Sequence, residues 1–495
     1  MLFNSYVFLF LFLPLALAGW YALNRKGYGK AAQGYLIGMS LWFYAWFNVS
    51  FLWVILGSCL FNFSVSWLLH EKNTPRLRKL CLIVGVAGNV GALGIFKYYN
   101  FFVENINGLF HTDFQLQHIL LPLGISFFTF QQLSFLIDRC RGDAPYCGLL
   151  DYLSFVTFFP SLISGPIILH GSTIAQFQDR ERRRFHGDSF AKGVMQFTIG
   201  LGKKVLLADT LALAVNYGYD NIPSLDAPAA LVAAVGYTLE LYFDFSGYTD
   251  MAVGVGKMFG IVLPENFRSP YRAVSVKDFW KRWHMTLSSF LQTYVYIPLG
   301  GSRKGRLSTF LNTMLTFLVS GLWHGANWTF VFWGFLHGLG VAAAGLAGKK
   351  ASEPSRQERR GRRILCQAAT FAYVCMAFVF FRADTVGDGF ALLGRIFSFE
   401  HTGRLAALAA AMEPAEIYPV TKALSLIAPG LVPAVQTAVL LLVLAVCCVT
   451  LAGRRTEEII ERDTISFRFT LALAVLFVWS VISLAGVSTF VYFSF

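Results

Sequence analysis

The sequence predicts an all-α polytopic membrane protein built as a single membrane domain, and three observations predict it. First, 56% of its 495 residues are apolar and only 14% are charged, against roughly 25% charged in ordinary soluble domains; the mean hydropathy is +0.55. Second, apolar runs of about 20 residues, long enough to cross a bilayer as a helix, recur along the chain. Third, the Lys and Arg residues behind the net charge of +13 gather in short loops between those runs, the asymmetry that sets membrane topology. The 49 Phe and 11 Trp suit a lipid-facing surface with interfacial aromatic belts. In a soluble protein such a charge would suggest nucleic acid; here it marks the side facing anionic lipid, and no nucleic-acid partner is expected.

The elements follow in order. The first run, residues 3–23, contains Ala16-Leu17-Ala18 before Gly19, which imitates a signal-peptidase site. Residues 1–6 carry no charge, however, and Arg25, Lys26 and Lys30 follow the run, so an uncleaved first helix with its N-terminus outside is expected. Runs at 31–47, 51–69 and 80–98 alternate across the membrane between basic loops at Arg25 to Lys30 and Arg76 to Lys79. Residues 101–118 then lie outside and partly at the interface. The run 119–137 returns to a cytoplasmic loop with Arg139 and Arg141, and Arg180 to Arg184 is basic on the same side. Only one apolar stretch, 149–169 with Pro160, Gly165 and Pro166, lies between those two loops. One stretch cannot cross once and end where it began, so it is read as re-entrant, with irregular backbone covered by protein or lining a cavity.

Residues 190–216 go out again, carrying Lys203 and Lys204, and 227–260 return, with Gly247 suggesting a break. The polar, tryptophan-rich stretch 264–306 reads as cytoplasmic or interfacial helices. Basic clusters flank the next apolar region on both sides, at Arg303 to Arg306 and in residues 349–363. Runs 307–322 and 328–346 therefore form a hairpin whose bend is Trp323-His324-Gly325-Ala326-Asn327, with His324 at its deepest point. Spans at 364–381, 432–451 and 469–486 follow, with residues 383–422 as a short extracytoplasmic cap and the C-terminus outside. Within the one domain this gives N-terminal helices (1–148), a core with the re-entrant segments and the histidines (149–348) and C-terminal helices (349–495). Of the eight cysteines, six sit inside apolar runs as packing residues; Cys140 and Cys147 share a cytoplasmic loop, where a structural disulfide is not expected.

An ionisable residue at membrane depth is a functional candidate by default, because its burial is costly. His324 is the leading one: an imidazole shielded from water stays neutral and accepts a proton from a hydroxyl. The alternative is a histidine bonded to a nearby carbonyl that merely holds the bend. His284, in Trp280-Lys281-Arg282-Trp283-His284, is a second proton carrier or an interfacial contact, the contact being favoured on the residues alone. Glu240, Asp244 and Asp250 lie in an apolar run, and Glu240 and Asp244 share a helix face. An ion-pair network with Lys203 or Lys204 is favoured over a catalytic dyad, since buried charges come in pairs. His337 reads as packing. No phosphate-cradling glycine loop, zinc spacing or G-x-S-x-G elbow is present, so no metal is expected.

Several blocks together resemble the membrane-bound O-acyltransferase (MBOAT) family, in its alginate O-acetyltransferase AlgI branch. They are Asn4-Ser5-Tyr6-Val7-Phe8-Leu9-Phe10, Leu121-Pro122-Leu123-Gly124-Ile125-Ser126-Phe127-Phe128, Tyr242-Phe243-Asp244-Phe245-Ser246-Gly247-Tyr248, Phe279-Trp280-Lys281-Arg282-Trp283-His284, Tyr296-Ile297-Pro298-Leu299-Gly300-Gly301 and Trp323-His324-Gly325-Ala326-Asn327-Trp328. The resemblance implies a ring of about 11 transmembrane helices, with re-entrant and interfacial helices, around a thin central funnel. It implies that His324 is the catalytic histidine and His284 the second characteristic one, with Trp283, Trp323, Asn327, Asp244 and Tyr248 lining the tunnel. The tail Phe490-Val491-Tyr492-Phe493-Ser494-Phe495 resembles the ending of such transferases, which makes Tyr492 an acyl relay or, alternatively, an aromatic interface anchor.

The resemblance further implies an acyl donor on the cytoplasmic side, acetyl-CoA or an acyl carrier, with no bound cofactor. It implies a bacterial inner membrane with both termini periplasmic, a periplasmic SGNH-hydrolase-like acetyltransferase of the AlgJ/AlgX kind as partner, and an exopolysaccharide acceptor. D-alanyl transfer to teichoic acid is an alternative within the same chemistry, and a transporter subunit for lipid-linked sugar is one outside it. Two departures stand out: Gln292-Thr293 replaces the usual Arg-Asp, and Ile168-Leu169 stands where Val-Arg is common. Neither touches a histidine, so they bear on partner or substrate and not on reaction class.

Overall fold

The structure is a computed structural model, and it describes residues 1–347, 356–461 and 466–485. All regular structure among the described residues is helical. Among the described residues, six helices are long and apolar enough to cross a membrane: Phe8–Arg25, Phe51–Leu68, Pro75–Phe110, Trp328–Gly345, Arg360–Arg382 and Pro429–Ala452. Their outward faces carry large exposed apolar side chains such as Leu60, Ile83, Val90, Leu442 and Val449. That is the surface of a chain whose solvent is lipid. Two compact units account for the packing, one formed by Met1–Thr198 with Tyr248–Glu265 and the other by Ile199–Gly247 with Asn266–Phe495.

In the first unit, membrane-embedded helices are joined through polar side chains, because lipid gives apolar faces no reason to prefer each other. Asn62, buried on the helix Phe51–Leu68, donates to Asn89 Oδ1 at 3.1 Å and accepts from Asn89 Nδ2 at 2.6 Å. It also reaches Gln132, to which Ser58 donates at 2.8 Å. Three helices are thereby held together. Phe3, Phe8, Phe12, Phe43 and Phe159 form a buried aromatic cluster beside them, with ring centroids 4.9–6.4 Å apart.

The stretch expected to be re-entrant is broken into Leu149–Thr157 and Phe159–Leu162, followed by irregular backbone, with residues 154–168 buried throughout. Glycine makes the fold-back fit: a Cβ at Gly165 would sit 2.3 Å from the Pro160 carbonyl oxygen. Gly124 opens the next contact, since at φ +73° it starts the helix Ile125–Arg141 and its missing Cβ would meet the Leu162 carbonyl at 2.7 Å. A β-carbon at either position would force the backbones apart.

Two expectations change. Residues 101–110 do not leave the preceding helix: Pro75–Phe110 is continuous over 36 residues, with a π-helical turn at Gly94–Tyr98 absorbing the register shift around Lys97. Gly247 does not break its helix, which runs unbroken through Ala227–Met258. Its physical role is close approach. A Cβ there would lie 2.8 Å from the Gly200 carbonyl oxygen and 3.0 Å from the Lys204 nitrogen, so two helices of the second unit touch backbone to backbone. From sequence, one glycine signals either event.

Candidate active site

The hairpin exists with its bend where the charge clusters placed it: helices Arg306–His324 and Trp328–Ala347. Its arms pack at backbone distance. A Cβ on Gly321 would come within 2.2 Å of the Phe330 carbonyl oxygen, and one on Gly334 within 2.4 Å of the Phe317 carbonyl oxygen. Gly325 closes the first arm, its amide donating to the Gly321 carbonyl at 3.4 Å, and the Phe330 ring occupies the space a Cβ would need. Asn327 secures the second arm, accepting from the Thr329 amide at 3.0 Å through Oδ1 and donating to the Asp384 carbonyl at 3.0 Å through Nδ2. His324, the last residue of the first arm, is thus fixed by backbone packing on one side and a capped helix start on the other.

Its ring is enclosed by aromatic side chains. Ring centroids of Trp323, Trp333 and Phe381 lie 4.9, 5.0 and 5.2 Å away, all edge-on, and the residue is 4% exposed. The His284 ring stands 6.5 Å from that of His324, so the structure brings together the two histidines singled out from sequence.

His284 reaches its place through an unusual backbone. It sits at φ 45°, ψ 52°, the left-handed region that costs a non-glycine residue about 1–2 kcal/mol. Neighbouring bonds hold it there: the Met285 amide donates to the Asn266 carbonyl at 3.0 Å, and the Arg268 amide to the Arg282 carbonyl at 2.8 Å. The Asn266 side-chain oxygen accepts from the Thr286 amide at 3.2 Å and from its hydroxyl at 2.7 Å, and lies 3.4 Å from His284 Nδ1. Because that oxygen is an acceptor, Nδ1 carries the ring proton and Nε2 keeps the lone pair. His284 is completely buried, in a stretch with no membrane-spanning helix among the described residues. Burial pushes its pKa down to about 3, so the ring is neutral at physiological pH.

Further layers were not legible from sequence. Trp280 donates through its indole N–H to His337 Nδ1 at 3.1 Å, and Trp333 touches both His337 and His324, with ring centroids 4.8 and 5.0 Å away. His337, read as packing, packs behind Trp333 and against Phe279 and Phe378. Trp283 packs against Phe279 and Phe378. Asp244 takes the ion-pair role favoured for it: Lys204 Nζ lies 2.6 Å from Asp244 and 2.7 Å from Asp209. Lys203 turns instead to the Thr456 hydroxyl at 2.8 Å. Tyr248 belongs to the first unit, where its ring stacks on Phe3 at 4.9 Å. Tyr492 lies outside the described residues. Two buried imidazoles side by side in an aromatic enclosure, one with its Nδ1 against an acceptor, are placed to take a proton from a hydroxyl and return it.

The membrane-bound O-acyltransferase family, MBOAT, matches this chain over residues 141–383, a range that holds both histidines. The peptidoglycan O-acetyltransferase of Helicobacter pylori is 40% identical over 422 residues, covering 79% of each chain. The probable alginate O-acetylase AlgI of Pseudomonas aeruginosa is 40% identical over 408 residues, 81% of this chain and 75% of that one. The teichoic acid D-alanyltransferase of Bacillus subtilis is 30% identical over 275 residues, 52% of this chain and 68% of its own.

Proposed function

The chain belongs to the membrane-bound O-acyltransferase family, and from that premise we propose that it takes an acetyl group from a cytoplasmic thioester and passes it through the membrane for O-acetylation of a glycan. The observation that carries this reading is the His324 imidazole, enclosed by Trp323, Trp333 and Phe381 with His284 at 6.5 Å. The alginate and peptidoglycan of the relatives' names are both polymers with free sugar hydroxyls, and that is the acceptor class proposed. Relatives named for O-acetyl transfer align over about four-fifths of this chain and those named for D-alanyl transfer over about half, which favours acetyl.

In the proposed step, acetyl-CoA places its thioester carbonyl beside His324. The imidazole accepts the phenolic proton of Tyr492 as that oxygen attacks; a C–O bond forms and the C–S bond breaks. The proton then passes to the leaving thiolate, so the ring ends neutral and the products are a free thiol and acetyl-tyrosine. General-base assistance of this kind is worth roughly 10²–10⁴-fold in rate. A periplasmic SGNH-hydrolase-like acetyltransferase of the AlgJ/AlgX kind takes the acetyl from Tyr492 and delivers it to the polymer. The protein sits in the bacterial inner membrane with both termini in the periplasm.

The test is glycan-bound O-acetate, released by mild base and quantified, in cells expressing His324→Ala or Tyr492→Phe at wild-type membrane abundance. His324→Ala is expected to lower acetylation by about 100-fold or more. Retained acetylation in that variant removes the base assignment, and retained acetylation in Tyr492→Phe removes the relay.

A further inference from the structure

The first unit contains a cavity of about 1100 Å³ that shares no residue with the histidine cluster. It opens among the loop after the first helix, the start of the helix Gly29–Ala45 and the segment following His170–Gln178. Its wall holds five cations, Arg25, Lys30, Arg180, Arg183 and Arg184, and one carboxylate, Asp151. That carboxylate is engaged by neutral donors: Gln33 Nε2 reaches one oxygen at 3.1 Å and Gln178 Nε2 the other at 2.8 Å. Arg184 pairs with Glu181 at 3.0 Å. Among the described residues, Arg25, Lys30, Arg180 and Arg183 form no ion pair.

Topology alone accounts for basic residues in a cytoplasmic loop, where water solvates them singly. It does not account for walling four unpaired cations around one volume. Arg183 is the sharpest case. Its guanidinium lies against Gly29, where a Cβ would come within 2.3 Å of Nη1, and Nη2 donates to the Gln178 carbonyl at 3.4 Å. Its Nε is buried with no hydrogen-bond partner. Gly29 and Lys30 also open a 17-residue helix with no acidic residue in its first turn, so the positive end of that helix adds to the same field. Tyr21 and Phe185, packed edge to face at 5.3 Å, supply an aromatic wall.

We propose that this cavity binds the phosphate groups of a ligand. Phosphate oxygens match the forked donors of Arg and the compact charge of Lys, and an anion relieves the mutual repulsion of the four cations. Two sources carry that chemistry on the cytoplasmic side, a soluble nucleotide and the headgroup of an anionic phospholipid. The volume admits either.

The experiment uses full-length protein in phosphatidylcholine nanodiscs with two probes. Adenosine 3′,5′-bisphosphate is titrated by equilibrium dialysis, and retained phosphatidylglycerol is counted by native mass spectrometry after nanodiscs are doped with it. At low salt one probe is expected to bind the wild type, and Arg180→Gln/Arg183→Gln to weaken it by about tenfold or more. Arg360→Gln/Arg363→Gln, which removes the same charge elsewhere, leaves binding unchanged. Gly29→Ala keeps every charge but displaces Arg183, and it weakens the same probe. Which probe responds identifies the source. Binding of neither probe, or equal losses in the two double variants, overturns the proposal. His324→Ala retains binding whatever becomes of acyl transfer, so the two readings fail separately.

Discussion

Asn266→Ala is the most informative perturbation of the site, because Asn266 touches His284 without belonging to the histidine pair. Its side-chain oxygen is the shared acceptor for Thr286 N–H, Thr286 O–H and His284 Nδ1. Removing it strands up to three donors around a buried ring. Each buried donor left unmet costs about 1–3 kcal/mol, and partial rescue of the Thr286 hydroxyl by rotation brings the expected loss to roughly 2–4 kcal/mol. The released left-handed turn at His284 adds to the disorder. Asn266→Asp is the companion: it keeps an acceptor in place but adds charge, which raises the His284 pKa from its value of about 3. The sign follows from linkage. With the folded pKa below the unfolded value of about 6.5, the unfolded chain binds the extra proton, and stability is lost as pH falls from about 6.5 towards 3. Wild type should therefore be roughly 1–2 kcal/mol less stable at pH 5 than at pH 7 from this group, and Asn266→Asp should flatten that slope. The assay is thermal unfolding in detergent across pH 5 to 8, beside acetyl transfer at each pH. An unchanged unfolding midpoint in Asn266→Ala, or the same pH slope in Asn266→Asp as in wild type, would refute the assignment of Asn266 as the residue that sets the tautomer.

Two further outcomes test the packing around the site. Gly325→Ala drives a methyl into the Phe330 ring, with 2.1 Å between them before relaxation; the bend must open, and acetyl transfer should fall by at least tenfold while membrane insertion persists. Lys204→Met leaves the buried Asp244 and the half-buried Asp209 without their cation and should destabilise by about 3–5 kcal/mol. Adding Asp244→Asn to Lys204→Met should recover part of that loss in the same unfolding assay.

What could be read in the sequence was whatever depends on counting charges against apolar length. The hairpin bearing His324 followed from two basic clusters flanking one apolar region, and the broken, folded-back segment within 149–169 from a single run caught between two basic loops. Pairing of Asp244 with a lysine followed from the rule that buried charges do not stand alone. Contacts between distant segments were not readable in this way. Asn266 is one polar residue in a polar stretch until the chain folds back through Met285 and Arg268. Trp333 sits on an arm hydrophobic all round, and only the pitch of the packed hairpin decides that its side chain faces His324. Gly247 shows the remaining ambiguity, since absence of a side chain serves a kink and a close helix crossing equally well.

The backbone of His284 has a consequence for anyone who sets out to make this protein more robust. Residues that adopt φ 45° readily are glycine, asparagine and aspartate. Relieving the turn with His284→Gly or His284→Asn would return about 1 kcal/mol, but it would also empty the space of a completely buried ring, a larger cost, and remove the imidazole. Hardening this scaffold for work outside the cell should begin with that residue held fixed, and with thermal tolerance never scored apart from turnover.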